Sequence, residues 1–281
     1  MLKNTFCHVP GIGPKSERRL WDRGILRWDD VARAAAETLP VKNQWFLRRR
    51  VEESIENLEH GNSQFFARHV PSAEHWRLFA EFRHSVAYLD IETTGMAGQG
   101  NHITTISMYD GHRVFYYVNG RNLSRFPEDV SGYKLLVTYN GRCFDVPFIE
   151  NYLHIKMNHA HIDLRFLLKS LGYTGGLKGC EKKLGLDREE LDGLDGFAAV
   201  LLWEEYRRNN DERALETLLA YNVLDAVNLE VLMVKAYNLK LMGTPFLETH
   251  ELAEPSGAEN PFVPHMPTVT RIKDIMGGFR E

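Results

Sequence analysis

The stretch Val86-Ala87-Tyr88-Leu89, followed at once by Asp90-Ile91-Glu92-Thr93-Thr94-Gly95, constrains this chain most. An apolar run this short, ended by a turn signal, reads as a buried β-strand. Asp90 and Glu92 sit at its end, two residues apart, and so project from one face of the strand. Two carboxylates a few ångströms apart repel each other, and loss of water raises the cost of keeping both charged. A bound divalent cation removes that cost. For an arbitrary Asp-x-Glu a solvated acidic turn is the ordinary explanation. Here a buried strand leads directly into the pair and Thr93-Thr94-Gly95 turns tightly after it, which favours a metal-binding role.

The flanking pattern supplies the rest of an α/β body. Residues 103–109 and 114–118 alternate as two strands around the hairpin signal Asp110-Gly111, and 135–139 reads as a fourth strand. Helical spacing then dominates, over 145–156, 163–171, 177–184, 196–208 and 211–241. A strand meander followed by strand–helix alternation and a long helix predicts an α/β fold with a mixed sheet flanked by helices. Before it, residues 1–75 read as a small all-α domain ending near Pro71. Within it a helix bears Leu20 and Trp21, another runs from Asp29 or Asp30 through Thr38, and a charged helix covers 43–60. The body is expected over 84–242. Five of the eleven prolines fall in 245–267, so 243–281 reads as a Pro-rich tail with little structure of its own.

Two further carboxylates stand where the pattern brings them toward Asp90. Asp145 follows the fourth strand, in Asn140-Gly141-Arg142-Cys143-Phe144-Asp145, and serves either as a helix N-cap or as a member of the acidic site. Asp225 lies on the long helix, four residues after Tyr221, so the two side chains are neighbours. Either they make a surface contact, or Asp225 completes a metal site beside the Tyr221 hydroxyl. Asp163 reads as a helix cap. His159 and His161 lack a companion ligand cluster and read as solvated. Lys178, behind Gly175-Gly176 at a helix start, is either a surface lysine or a phosphate contact. Asn140 either holds its loop by side-chain hydrogen bonds or touches substrate; Thr93 and Met96 are candidates to line the strand end in a substrate site, with ordinary packing the alternative for Met96.

Four acids and a tyrosine in this order resemble the DEDD superfamily of 3′–5′ exonucleases, whose fold is ribonuclease H-like. Asp90, Glu92, Thr93 and Gly95 match the first motif; Asn140, Phe144 and Asp145 match the second; Tyr221 and Asp225 match the tyrosine-branch third motif. Across 85–240 the chain looks most like the YprB-type predicted exonucleases. Gly175-Gly176-Leu177-Lys178, Glu181-Lys182-Lys183-Leu184-Gly185 and Tyr221-Asn222-x2-Asp225 carry that likeness. The resemblance implies metal-assisted hydrolysis of phosphodiesters with two divalent ions, Mg²⁺ or Mn²⁺, held by Asp90, Glu92, Asp145 and Asp225. Tyr221 would orient the attacking water. It implies a nucleic-acid substrate, DNA favoured and RNA possible; a module that binds without turnover is the remaining alternative.

Charge is unevenly spread. The net charge is −4, but residues 1–50 carry +6 and the remainder −10. A basic head attracts phosphate, while an acidic body repels it unless cations intervene. In the head, Pro10-Gly11-Ile12-Gly13 resembles the turn of a helix–hairpin–helix motif. Gly11 and Gly13 would let backbone N–H groups approach a DNA phosphate, with Lys15 and Arg18 adding charge. A glycine turn that merely packs is the alternative. The three cysteines exclude a disulfide scaffold and a cysteine-based zinc finger. No secretory leader or membrane-length apolar run is evident, so a cytoplasmic protein with no membrane partner is expected.

Overall fold

A computed structural model describes residues 1–34, 44–95 and 100–278. The amino-terminal part is helical: a 3₁₀ turn at Leu2–Asn4, then α1 (Pro14–Trp21), α2 (Trp28–Arg33), α3 (Gln44–Glu59) and α4 (Ser63–His69). Pro14 at the first helical position needs no N–H partner, which suits α1 to start there. Gly24, at φ +80°, turns the chain after α1, a conformation glycine takes without strain. A 3₁₀ helix (Ser72–Leu78) and α5 (Phe79–Phe82) lead into β1 (Val86–Thr93).

The hairpin β2 (Ile103–Tyr109) and β3 (Val114–Val118) follows. Its turn is closed by Asp110, whose Oδ1 accepts the N–H of His112 and of Arg113. Then come α6 (Phe126–Ser131), β4 (Leu135–Thr138), α7 (Asp145–Leu153), β5 (Ala160–Asp163), α8 (Leu164–Ser170) and α9 (Gly176–Lys183). The chain continues through α10 (Gly196–Asn209), α11 (Glu212–Leu241), α12 (Leu247–His250) and α13 (Met266–Gly278). Among the described residues the strands form one mixed sheet in the order β3-β2-β1-β4-β5. β1 is antiparallel to β2 and parallel to β4, and β5 is parallel to β4. The expected α/β architecture with a helical amino-terminal part is present.

Alternation along β1 sorts its two faces. Val86 and Tyr88 join a cluster with α1, α4, α8 and the second half of α11. Ala87, Leu89 and Ile91 join the opposite cluster with α6 and α7. Asp90 and Glu92 continue the first set and so face α11. That 30-residue helix is apolar on nearly all sides because it is buried on nearly all sides. It is also long and apolar enough to span a bilayer by composition, although 89% of its most apolar window is buried within the protein.

Several expectations are corrected. The segment 243–281 is not structureless: α13 buries Val269, Ile272 and Met276 against α10 and α11. His161 is not a solvated histidine, since it sits in β5, where burial pushes its pKa down to about 3. Asp145 is the first residue of α7 rather than its N-cap, which is Phe144. The helix expected to start at Asp29 or Asp30 begins at Trp28; its part beyond Ala34 and Met96 lie outside the described residues. Part of the basic head is engaged in structure: Arg48 donates to the carbonyls of Val31, Ala32 and Ala34 at the end of α2, whereas Lys3, Lys15, Arg19, Arg23 and Arg27 are exposed.

Candidate active site

The carboxyl end of β1 sets the site. Between Glu92 and Thr93 the register with β2 slips by one, with Thr104 as the extra residue. A bulge of this kind re-aims the side chains beside it. Asp90 lies opposite Ser107 and Glu92 opposite Thr105. Residues paired across antiparallel strands share a face, so two hydroxyls stand next to the two acids. Asn222 of α11 joins them. Its amide donates to Asp90 Oδ2 at 2.6 Å, and its carbonyl oxygen accepts from Thr105 Oγ1 at 2.9 Å and Ser107 Oγ at 2.8 Å. One buried amide thereby locks strand, neighbouring strand and helix into a single arrangement.

Asp225, one turn further along α11, completes the convergence. One ligand oxygen from each of Asp90, Glu92 and Asp225 lies within 4.8 Å of the others. Asp145, buried at the start of α7, adds its charge to the same field. Loss of solvation, then the charges of Asp225, Glu92 and Asp145, hold the Asp90 carboxyl well above the usual range, against the hydrogen bond from Asn222. Glu92 is raised by burial and by Asp225 and Asp145, against the opposing pull of Lys178 and Arg188. Burial pushes Asp145 up to about 7, although backbone hydrogen bonds at Asp145 and Ile91 favour its charged form. Burial first, and repulsion between the carboxylates second, favour protons on this cup when no cation is bound. Its all-oxygen donor set fits a hard cation such as Mg²⁺, Mn²⁺ or Ca²⁺.

A family model covers the sheet and the long helix that carry these acids. The family model RNase_H_2, of the RNase_H superfamily, matches residues 87–237. The chain belongs to the RNase_H superfamily. Membership points to a hydrolase acting on nucleic acid, with divalent metal as its usual aid. No curated protein matches the chain. A solved structure similar to it is the family B DNA polymerase from the hyperthermophilic archaeon Pyrobaculum calidifontis. Identity is 17% over 56% of this chain, with a TM-score of 0.43; the match spans 24% of the polymerase chain.

In this RNase H-like site the remaining expected residues fall as follows. Tyr221 is buried one turn before Asp225; loss of solvation, then the charges of Asp225, Glu92 and Asp90, raise its hydroxyl pKa strongly. The Lys178 ammonium lies 4.8 Å from the Tyr221 ring centroid, buried and without a hydrogen-bond partner, so it is not a surface lysine. Thr93 turns its hydroxyl onto Gly95 O at 2.7 Å, shaping the turn. Asn140 holds φ +67° and lines the cleft in front of Asp90 and Asp225. Gly11, Gly13 and Lys15 are exposed around the start of α1. The segment before that turn contains a 3₁₀ turn rather than a first α-helix, and Arg18 donates to Gly243 O at 2.7 Å.

Sequence reading missed Arg188. Its guanidinium forks onto Glu181, with Nε to Oε2 at 2.5 Å and Nη2 to Oε1 at 2.8 Å, and Nη2 also reaches Asp225 Oδ1 at 2.5 Å. Asn228 donates to the same Glu181 at 2.9 Å. Arg188 lies in an irregular segment with no periodicity, so nothing in the spacing announces it. Asn222 did carry a signal, as a polar residue inside an apolar helix.

Proposed function

We propose that this protein is a divalent-metal-dependent 3′–5′ exonuclease that hydrolyses DNA phosphodiesters at single-stranded or 3′ ends, with a pair of Mg²⁺ or Mn²⁺ ions. The observation that carries it is the convergence of Asp90, Glu92 and Asp225 from β1 and α11 into one cup of oxygen ligands. Asp90, Glu92 and Asp225 would hold one ion, and Asp90 with Asp145 the other. Bound ions of this kind lower the pKa of a water and offset charge on the phosphate.

The chain's own groups do the rest. Asn222 fixes the Asp90 carboxylate, so the ligand does not reorganise on binding. Arg188 holds Asp225 through Oδ1. Tyr221, too strongly raised to ionise, keeps its proton and orients a water by hydrogen bonding. Lys178 keeps an unpaired ammonium beside Tyr221, where it meets a phosphate oxygen. Gly11, Gly13 and Lys15 offer a second, sequence-independent backbone contact.

The test uses oligonucleotides labelled at either end, incubated with Mn²⁺ or Mg²⁺. Single nucleotides should leave from the 3′ end, EDTA should stop release, and Asp90→Asn should slow it at least about 100-fold, since a metal ligand is lost. Equal release by Asp90→Asn, or none by the unaltered protein, refutes the reading.

A further inference from the structure

The cleft in front of the acids has a volume of about 700 Å³. Asp90 and Asp225 line it. Tyr139, Asn140, Arg165, Lys169 and Tyr173 line it too, so the same cleft carries basic and aromatic side chains beside the acids. Arg165 and Lys169 are four residues apart on α8, so they rise from one face of that helix about 5–6 Å apart. Both are exposed, and no carboxylate pairs with either in an ion pair among the described residues.

Arg165 is also built in rather than left loose. Asp163 caps α8 through the N–H of Arg165 and, with the same carboxylate, accepts the N–H groups of Asn140 and Arg142 at 2.8 and 3.0 Å. The start of α8 is thereby fastened to the loop that delivers Asp145. The Arg165 guanidinium then donates to Asn140 Oδ1 at 2.5 Å, which holds it at the rim of the cleft. Tyr173 and Tyr139 line the same cleft.

We propose that the α8 side of this cleft is the track for a single DNA strand, with Arg165 and Lys169 on successive backbone phosphates and Tyr173 against a base. This rests on the nuclease reading and adds the substrate path to it. A cleft of this size lies within the range of roughly 300–1,000 Å³ that holds small ligands, which is room for one or two splayed nucleotides. Positive groups along a groove with interleaved aromatic rings bind single strands without reading sequence.

The experiment measures binding of fluorescent oligo-dT and of a duplex of equal length by Asp90→Asn protein, with and without Arg165→Gln/Lys169→Gln, across a salt series. Each single-strand phosphate contact releases about 0.7 counterion, worth about fivefold in affinity at 0.1 M salt relative to 1 M, so the pair is worth about 25-fold. The double variant should bind oligo-dT about 25-fold more weakly at 0.1 M salt, with a salt slope smaller by about 1.4. Tyr173→Ala should weaken binding with the slope unchanged. Unchanged affinity and slope in the Arg165/Lys169 variant, or tighter binding of the duplex, overturns the track. Metal-dependent nucleotide release by the unaltered protein, measured alongside, separates the two failures: release with unchanged binding sinks the track alone, whereas no release and no binding sink both.

Discussion

Asp145 offers the sharpest physical test of the acidic cup. Its carboxyl is raised from 3.8 to about 7 when the protein is folded. A raised acid stabilises the fold only below its unfolded pKa, and that contribution disappears as pH climbs toward the folded value. At pH 5 the unfolded chain has released this proton and the folded chain has kept it, which costs on the order of 1–2 kcal/mol; at pH 8 the cost is on the order of 4 kcal/mol. Asp145→Asn cannot ionise and escapes the cost. Without metal, in EDTA, it should therefore melt above the unaltered protein by a margin that grows with pH. At roughly 3 °C per kcal/mol for a chain of this size, the margin is about 5 °C at pH 5 and about 12 °C at pH 8. Comparing the two proteins removes the buried histidines His8 and His161, whose pKa values are both depressed to about 3 and which titrate alike in each. Mn²⁺ should narrow the margin: at 100 times its dissociation constant it adds about 2.7 kcal/mol to the protein that binds it, less than the whole gap at pH 8, and Asp145→Asn should gain less. The assay is differential scanning fluorimetry at pH 5 and 8. An equal margin at both pH values, or an amide variant no more stable than the parent at pH 8 in EDTA, refutes the reasoning.

Arg188→Ala strands Glu181, whose side chain is fully buried, and should cost about 3–5 kcal/mol in denaturant unfolding; a loss under 1 kcal/mol contradicts the buried pair. Arg188→Leu with Glu181→Leu should recover only part of that loss, because Asp225 still loses its guanidinium partner and Asn228 its acceptor. Asn222→Ala removes the partner of two hydroxyls and of Asp90, so Mn²⁺ affinity by calorimetry should fall about 10–100-fold; unchanged affinity would show that the amide does not orient the ligand. Tyr221→Phe keeps the ring under Lys178 and loses only the hydroxyl. kcat should drop about 10–100-fold with Mn²⁺ affinity intact, and an unaltered kcat removes the hydroxyl from the chemistry.

Local features made much of this site legible before any coordinates. Asp90 and Glu92 share a face because strand geometry has a period of two, and Tyr221 and Asp225 adjoin because helix geometry has a period of 3.6. The long helices announce their starts through Asp195 and Asp211, whose carboxylates accept the N–H groups of Phe197 and Arg213. What stayed hidden depends on distant partners. β5 is four residues with a histidine in it, and only pairing with β4 makes it a strand. α13 begins at Met266-Pro267, so its proline reads as tail composition although it sits in the first turn, where proline is tolerated. Arg188 meets Asp225 across 37 residues and through irregular backbone, and burial of charge leaves no periodic mark.

The carboxyl-terminal segment matters for how the protein can be handled. Asn260 donates to Ala220 O, and His265 N–H donates to Thr217 Oγ1, so the strap after α12 is stitched to α11 within a turn of Tyr221 and Asn222. Trimming the chain behind Leu241 would uncover the Leu215 and Leu218 side of that helix and free the two anchors beside its working face. Shortened versions should aggregate or lose cation binding even though every acid of the cup is still encoded.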